Sequence, residues 1–162
     1  MGRPHLQQPG DTRRDQRGSL LSVCVDSSFL VSSYVSDSHS SESDRRRMNS
    51  PALWLTPLNR AEFARAVYQY VFRSQMNLAH ANQLWSVFQE DCERGVWIRT
   101  GFPESAWRLG VELARKHGPT LGVRTLDTLH VACALELKAE RFWTFDERQG
   151  KLAEAVGLET SG

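Results

Sequence analysis

Four acidic residues are spaced along the chain in a way that lets them meet at one site: Asp26, Glu62, Asp127 and Asp146. Asp26 and Asp146 each follow a short apolar run, and Glu62 and Asp127 lie near the starts of helical patterns. Mg²⁺ prefers oxygen ligands and binds a few carboxylates together with water and substrate phosphate oxygens. The four residues therefore predict a divalent-cation site whose chemistry acts on a phosphate group.

Each acidic residue also has a structural interpretation. Asp26 and Asp146 are equally well explained as N-caps of the helices that follow them. Glu62, taken alone, is better explained as a glutamate favoured by the dipole of its helix. The metal-site prediction thus depends on the joint placement of the residues at the carboxyl ends of strands, where sites in open α/β sheets collect.

Asp127 is the acidic residue that is hardest to explain by structure alone. Val131 and Ala134 follow one and two turns later on its helix face, so the pattern directs the Asp127 carboxylate toward the interior. An ionised carboxylate there requires a cation or several donors, and the following helical turn contains no Lys or Arg. Thr125 is suited to cap this helix, which would leave Asp127 free to bind a metal.

The elements that position these residues alternate between strands and helices. Apolar runs predict strands over 21–25, 52–55, 96–98 and 141–145. Helical spacing predicts helices over 29–34, from Thr56-Pro57 onward, and over 77–94, 103–117, 126–138 and 151–156, with a weak helix permitted over 42–48. The 126–138 helix is apolar nearly all round, as expected of the most interior helix. This order predicts an α/β fold in three layers, α/β/α, with a mainly parallel sheet of about four to five strands.

Length and composition indicate one ordinary globular domain, since the chain has 162 residues, of which 40% are apolar and 24% charged. We expect this domain to span residues 21–160. The arginine-rich residues 1–20 contain almost no apolar side chains and are expected to be a disordered basic extension. No stretch approaches the roughly 18 apolar residues of a membrane span, so no membrane association is expected.

The cysteines indicate the cellular compartment of the protein. The net charge limits how the protein could attract nucleic acid. Cys24, Cys92 and Cys133 show no metal-site spacing and lie in apolar runs, which favours reduced core thiols and the cytosol. A formal net charge of +1 gives no global attraction to nucleic acid. Any RNA binding must then come from local basic groups or from a metal.

Four segments carry a family resemblance: Val-Cys-Val-Asp26-Ser-Ser-Phe-Leu-Val, Leu-Thr-Pro-Leu-Asn-Arg-Ala-Glu62, Arg-Thr-Leu-Asp127-Thr-Leu-His-Val-Ala-Cys-Ala and Phe-Trp-Thr-Phe-Asp146-Glu-Arg-Gln. In this order they resemble the PIN-domain family, and within it the VapC-type toxins of bacterial toxin–antitoxin pairs. The resemblance runs from Val23 to Leu158. The arginine-rich extension and the serine-rich segment 36–50 depart from the family pattern.

The resemblance implies a Mg²⁺- or Mn²⁺-dependent endoribonuclease in which the four acidic residues hold the metal and Ser28 and Thr144 support the site. It further implies an RNA substrate, a homodimer, and a partner antitoxin that covers the cleft. A divalent cation suits this reaction because it activates water and offsets charge that develops on the phosphate; whether one ion or two acts stays open. Arg60, Arg124 and Arg148 lie near acidic residues in sequence and are candidates for phosphate contacts, although an exposed arginine needs no such role.

Three other side chains have both a functional and a structural interpretation. Trp54 and Trp143 lie within strands, where core packing is a better explanation than base stacking. His130, one turn after Asp127, is better explained as hydrogen-bonded core than as a general base.

Two other function classes stay open. Phosphoryl transfer with Asp26 as nucleophile also uses an aspartate after the first strand with Mg²⁺ nearby. Ser28, two positions later, is not a carboxylate, which counts against a phosphatase. A catalytically silent binding module would use the acidic cleft only to engage a partner protein. Trapping of an aspartyl-phosphate on Asp26 would identify the first class, and RNA cleavage would exclude the second.

Overall fold

A parallel β-sheet forms the centre of the computed structural model, which describes residues 22–49 and 52–160. Its strands are β1 (Ser22–Val25), β2 (Ala52–Leu55), β3 (Trp97–Arg99) and β4 (Arg141–Trp143). They lie in the order β3-β2-β1-β4, and each neighbouring pair is parallel. The prediction of a parallel α/β sheet is therefore confirmed. The prediction of a basic extension over 1–20 falls outside the described residues.

The described residues contain seven helices, of which the first six connect the strands and the seventh follows β4. They are α1 (Ser27–Ser32), α2 (Ser40–Met48), α3 (Pro57–Phe72), α4 (Leu78–Glu93), α5 (Ser105–Leu121), α6 (Thr125–Glu136) and α7 (Glu147–Ala155). None of them is long and apolar enough to cross a membrane.

Two apolar cores cover the two faces of the sheet, because alternate residues of a strand point to opposite faces. Val23 and Val25 of β1 belong to one core together with Phe63 of α3 and Phe88 of α4. Cys24, between the two valines, belongs to the other core with residues of α5, α6 and α7. The helices therefore form a layer on each side of the sheet, which is the predicted α/β/α arrangement.

Helix α6 is the most interior helix, as its apolar sequence predicted. Every residue from 128 to 134 is buried, so the helix has no exposed face in its centre. Helix α5 packs closely against it at Gly110, where an added Cβ would lie 2.9 Å from Cδ2 of Leu129. Asp127 and His130 are consequently carried on a helix that cannot shift without disturbing the core.

The end of α5 differs from the prediction. The predicted helix ends at His117, before the turn-forming pair Gly118-Pro119, yet the helix continues through both residues to Leu121. A residue before proline avoids the helical region largely because its Cβ meets the proline ring, and Gly118 has no Cβ. The helix ends instead at Gly122, whose φ of 61° is a left-handed conformation that glycine adopts at low cost.

Three helices begin earlier than the apolar pattern indicated. Helices α1 and α7 begin at Ser27 and Glu147, directly after the aspartates that cap them. Helix α2 begins at Ser40 within the serine-rich segment and is held by Glu42, which accepts hydrogen bonds from Arg45 and Arg46. Polar first turns carry little apolar periodicity, which is why the pattern located these starts too late.

The three cysteines are free. Cys24 and Cys133 are buried, as predicted, and Cys92 is only partly buried. Burial raises the pKa of the Cys133 thiol to about 12, so this thiol is protonated at neutral pH.

Candidate metal centre

Asp26 ends β1 and caps α1, and it is only 3% exposed. Its carboxylate accepts hydrogen bonds from the Ser28 hydroxyl at 2.7 and 2.8 Å, from the Phe29 N–H at 2.9 Å and from the Thr144 hydroxyl at 2.8 Å. These donors come from two separate segments of the chain. They hold the carboxylate in one orientation at the carboxyl end of the sheet.

The Ser28 and Thr144 hydroxyls also join the turns that follow β1 and β4. The Ser28 oxygen accepts a hydrogen bond from the Phe145 N–H at 2.8 Å, and the Thr144 oxygen accepts one from the Asp146 N–H at 2.9 Å. Since β1 and β4 are neighbours in the sheet, both hydroxyls bridge the two turns. Ser28 donates to Asp26 in its own turn and accepts from the turn after β4, whereas Thr144 donates to Asp26 in the other turn and accepts within its own. The structure thus places both predicted supporting residues against Asp26.

The buried position of Asp26 disfavours its charge. Burial raises the pKa of this carboxyl above its usual value, and the hydrogen bonds from Phe29, Ser28 and Thr144 offset this effect only in part. Ionised Asp26 is therefore under-compensated by the protein alone. A nearby cation would supply the missing compensation.

Asp146 follows β4 and is the N-cap of α7. Its Oδ1 accepts hydrogen bonds from the N–H groups of Arg148 at 2.9 Å and Gln149 at 3.0 Å. Within the described residues, Oδ2 accepts no hydrogen bond. Capping is thus part of the role of Asp146, and one carboxylate oxygen is left for a further ligand.

Asp127 is less buried than the sequence pattern indicated, and the prediction that Thr125 caps α6 is wrong. The N-cap is Arg124, whose backbone N–H donates to Oδ2 of Asp127 at 2.8 Å. The carboxylate therefore turns back toward the helix start instead of lying deep in the core. Burial raises the pKa of Asp127 and the negative charge of Asp146 raises it further, against the lowering effect of the Arg124 N–H.

Glu62 lies in the second turn of α3 and contacts the imidazole of His130 across the interior. Its Oε2 forms a close hydrogen bond with Nε2 of His130, which is 4% exposed. This confirms that His130 is a hydrogen-bonded core residue. The first turn of α3 contains no acidic residue, and dipole stabilisation declines beyond that turn, so the helix dipole does not account for Glu62.

One open cavity of about 1010 Å³ brings these elements together. Glu62 of α3, Asp127 of α6 and Asp146 before α7 all line it. Asp26 does not line the cavity but lies directly behind it, because its hydrogen-bond donor Ser28 is a lining residue. The structure therefore gathers three of the four acidic residues at one surface and places the fourth beneath that surface.

The donor set at the cavity suits a divalent cation that completes its coordination with water and substrate. In the described residues no group of three acidic, histidine or cysteine side chains is already arranged to hold a metal ion. Mg²⁺, however, often uses only one or two carboxylates and completes its shell with water and phosphate oxygens. The free oxygen of Asp146, the charge crowding between Asp146 and Asp127 and the under-compensated Asp26 fit such an ion. Oxygen donors of this kind suit Mg²⁺ or Mn²⁺.

The three candidate phosphate-contacting arginines have different positions. Arg124 lines the acidic cavity. Arg60 points away from the Glu62 side of α3 and therefore lines a separate, smaller cavity. Its guanidinium lies 5.7 Å from the Trp85 ring centroid. Arg148 does not line the acidic cavity and donates a hydrogen bond to the Gly122 carbonyl at 3.4 Å. Of the three predicted arginines, the structure thus places only Arg124 in the acidic cavity.

Several residues of the site were missed by sequence reasoning. Arg65, one turn after Glu62, and His39, just before α2, line the cavity. Gln149 is buried, lies 3.2 Å from the Thr144 hydroxyl and donates to the Asp127 carbonyl at 3.4 Å. The helical spacing between Glu62 and Arg65 was a usable signal. No local pattern marks His39 or Gln149.

A further missed residue, Asn59, positions α3. Its side chain is fully buried, donates to the Val25 carbonyl at 2.7 Å and accepts from the Thr56 N–H at 2.8 Å. It therefore joins the first turn of α3 to the residue that precedes Asp26.

The two tryptophans pack in the core, as predicted. Trp143 is buried, and Trp54 packs against the core that contains Cys24.

The sequence from residue 23 to residue 155 matches the profile of the PIN domain. The protein therefore belongs to the PIN-domain family. Among curated protein sequences, no significant match is found.

Three solved structures have similar folds. VapC20 from Mycobacterium tuberculosis, a toxin that cleaves the sarcin-ricin loop, is 13% identical with a TM-score of 0.64, over 86% of this chain and 98% of that one. PAE2754 from Pyrobaculum aerophilum is 14% identical with a TM-score of 0.58, over 92% and 95%. FitAcB from Neisseria gonorrhoeae is 14% identical with a TM-score of 0.61, over 86% and 96%. At this level of identity the similarity concerns the fold.

Proposed function

We propose that this protein is a divalent-metal-dependent endoribonuclease that hydrolyses phosphodiester bonds of RNA. The observation that carries the proposal is the convergence of Glu62, Asp127 and Asp146 on one cavity, with the buried Asp26 directly behind it. Membership of the PIN-domain family supports it, and so does the RNA-cleaving activity of VapC20, a protein of similar fold. We propose one catalytic domain over residues 21–160.

The proposed ligands of Mg²⁺ or Mn²⁺ are the four acidic residues, and the surrounding groups keep them in place. The Ser28 hydroxyl contacts both oxygens of Asp26, and the Thr144 hydroxyl donates to Oδ2, so the two residues orient this carboxylate. His130 orients Glu62 through the hydrogen bond between their side chains. When bound, a divalent cation would activate water for attack on the scissile phosphate and offset the negative charge that develops there. Since these carboxylates are held before substrate arrives, little reorganisation is needed during the reaction.

The positions of the basic side chains support a phosphate substrate. Arg124 and Arg65 line the same cavity as the carboxylates, so their guanidinium groups can contact phosphates on either side of the scissile bond. Arginine suits this task because its planar donor groups match phosphate oxygens. A net charge of +1 means that these local groups, together with the cation, must supply the attraction to RNA.

The alternative of phosphoryl transfer through Asp26 is less well supported. Both oxygens of this carboxylate accept hydrogen bonds, and the residue is 3% exposed. An aspartyl nucleophile must bring an oxygen within bonding distance of phosphorus, and Asp26 lies behind the residues that line the cavity. A cation between Asp26 and the substrate would need only one of its carboxylate oxygens.

The proposal is tested by incubating the purified full chain with structured RNAs in the presence of Mg²⁺. We expect cleavage by the wild type and no cleavage with EDTA. Asp26→Asn and Asp127→Asn should each lower the cleavage rate by more than the roughly 10- to 100-fold that is typical when a residue that only supports a metal ligand is replaced. Asp44→Asn is the matched control, because Asp44 is an exposed aspartate of α2 outside the cavity. Equal cleavage by wild type and both cleft variants, or no cleavage by any of them, would contradict the proposal.

We further propose that the ribonuclease is the toxin of a toxin–antitoxin pair, acting in the cytosol as a homodimer whose cleft is blocked by an antitoxin. The resemblance of the four acidic segments to VapC-type toxins supports this role. Expression in a bacterial host should arrest growth, the Asp127→Asn variant should not, and co-expression of the neighbouring gene should restore growth. Normal growth of cells that contain active wild-type enzyme would speak against the toxin role.

A further inference from the structure

A column of three stacked rings runs from the core to the wall of the acidic cavity. The rings of Phe29 and Phe145 have centroids 5.4 Å apart and an interplanar angle of 19°. The imidazole of His39 stacks on Phe145 at 4.4 Å and 11°. Phe29 is fully buried, whereas His39 is exposed. The column therefore presents a flat ring at the surface.

This column is attached directly to the proposed metal ligands. Phe145 lies between Thr144 and Asp146 in sequence, and its N–H donates to the Ser28 hydroxyl at 2.8 Å. Both His39 and Phe145 line the cavity together with Asp146. A group stacked at His39 would consequently lie in the same cleft as the carboxylates.

The turn that carries His39 is held by several hydrogen bonds. Asp37 accepts from the Ser32 hydroxyl at 2.6 Å and from the His39 N–H at 2.7 Å. The Ser40 hydroxyl donates to the Val35 carbonyl at 3.0 Å. Because these bonds fix the backbone on both sides of His39, its ring is presented without a large entropic cost on binding.

A guanidinium group lies next to the Phe145 ring. The Arg46 guanidinium of α2 lies 5.9 Å from the Phe145 centroid and 5.5 Å from that of Trp143. This places a positive charge beside the aromatic column. His39 is the N-cap residue of α2, so the exposed ring and this guanidinium are carried by the same helix.

We infer that His39 and Phe145 form a stacking platform for one unpaired base of a single-stranded RNA segment next to the scissile phosphate; this inference rests on the proposed ribonuclease function. Unpaired bases of RNA are commonly recognised by stacking on aromatic and histidine side chains. Such stacking tolerates any base, since every base presents a flat face. A base within a duplex is already stacked on its neighbours and cannot reach the platform.

The experiment compares His39→Gln, which removes the ring, with His39→Phe, which keeps a ring but not the imidazole nitrogens. His80→Gln is the matched control, because His80 is an exposed histidine of α4 that does not line the cavity. The probe is a short single-stranded oligoribonucleotide of mixed sequence, and the same sequence as a duplex serves as reference. Affinity is measured with Asp26→Asn added to each chain to prevent cleavage, and KM and kcat are measured without it. Thermal unfolding of each variant verifies the fold.

We expect His39→Gln to bind the single strand roughly tenfold more weakly, the scale of one lost stacking contact. KM should rise correspondingly with kcat nearly unchanged, and duplex binding should not respond. His39→Phe and His80→Gln should resemble the wild type. An abasic nucleotide at one position of the probe should abolish the difference between wild type and His39→Gln.

Two results would overturn the inference while leaving the ribonuclease proposal intact. The first is an active enzyme in which His39→Gln binds and cleaves single-stranded RNA like the wild type. The second is a His39→Phe variant that binds normally but has lost kcat, which would indicate proton transfer by the imidazole. A wild-type chain that neither binds nor cleaves RNA would overturn both proposals together.

Discussion

Asp26 caps a helix and is also suited to bind a metal, and the two roles are compatible. A carboxylate can accept about four hydrogen bonds or ligands. On Asp26 these positions are taken by the capping N–H of Phe29, by the Thr144 hydroxyl and by the Ser28 hydroxyl, which is shared between both oxygens. A cation would take over one contact of the shared Ser28 hydroxyl, and the Phe29 cap would stay in place. Asp146 caps α7 through one oxygen and leaves the other free among the described residues. A capping position therefore does not argue against a metal ligand.

Because Asp26 is buried, we expect the metal-free wild type to be less stable than a variant without this charge. Because burial raises the pKa of folded Asp26, its ionised form costs free energy at neutral pH. Asp26→Asn removes this cost, and the Ser28 and Thr144 hydroxyls can rotate to accept from the amide. In EDTA at neutral pH we expect a higher Tm for Asp26→Asn than for the wild type. The difference should vanish below about pH 4, where an unfolded aspartate is also protonated.

The measurement is thermal unfolding followed by circular dichroism from acidic to neutral pH, with EDTA or Mg²⁺. Mg²⁺ should raise the Tm of the wild type, because a ligand of the folded state stabilises it, and should raise that of Asp26→Asn much less. Asp44→Asn, at an exposed site, should behave as the wild type in both conditions. A lower Tm for Asp26→Asn in EDTA at neutral pH would mean that the hydrogen bonds outweigh the burial of charge.

At the scale of elements, the site depends on how helices begin. Helices α1 and α7 start at capping aspartates, and α6 starts at Arg124, whose N–H donates to Asp127. Helix α3 starts at Thr56 and is fixed to the end of β1 through Asn59. The orientation of each acidic side chain is therefore coupled to a helix start at the carboxyl edge of the sheet.

Asn59→Ala should separate α3 from β1. The substitution leaves the Val25 carbonyl and the Thr56 N–H without their partners in a buried region, at a cost of about 2 kcal/mol or more in the free energy of unfolding. Activity should fall as well, since α3 carries Glu62. Urea unfolding measures the effect as a lower midpoint at an unchanged m-value.

The control for this prediction is Asn82→Ala. Asn82 is an exposed residue of α4 whose side chain accepts from the Tyr68 hydroxyl at 2.8 Å. Its replacement should change the free energy of unfolding by no more than about 0.5 kcal/mol. If the two variants lose the same free energy of unfolding, the hydrogen bond between Asn59 and β1 does not position α3.

At the scale of the whole molecule, the small number of arginines that line the cavity predicts a shallow salt dependence of RNA binding. If Arg65 and Arg124 are the main phosphate contacts, log K should fall with log salt with a slope of about −1.4 for a single strand. Arg65→Ala or Arg124→Ala should each reduce the slope by about 0.7. Fluorescence anisotropy of labelled RNA with the Asp26→Asn chain at constant Mg²⁺ provides the measurement.

Arg115→Ala is the control for the salt experiment, because Arg115 is an exposed arginine of α5 that does not line the cavity. It should leave the slope unchanged. A wild-type slope steeper than about −3 would require more than four phosphate contacts. The RNA would then extend over basic groups beyond the cavity.

The sequence by itself determined the alternating elements, the buried character of α6 and the order of the four acidic residues. Apolar periodicity and residues such as Thr56-Pro57 act within one or two turns, so they can be recognised without knowledge of distant parts. At two helix ends a competing local signal prevailed, namely Gly122 as the stop of α5 and the bond between the Arg124 N–H and Asp127 at the start of α6. The closing signal at Gly118-Pro119 was overridden, and the Thr125 cap was replaced by Arg124.

Only the tertiary structure decided which side chains meet. His130 contacts Glu62 across 68 positions of sequence, and Thr144 contacts Asp26 across 118. Arg65 lines the acidic cavity while Arg60 lies at another, because the packing of α3 determines which of its sides faces the cleft. The stacking of His39 on Phe145 likewise depends on where α2 packs. Such contacts follow from the relative placement of whole elements, and a local pattern of residue types carries no information about that placement.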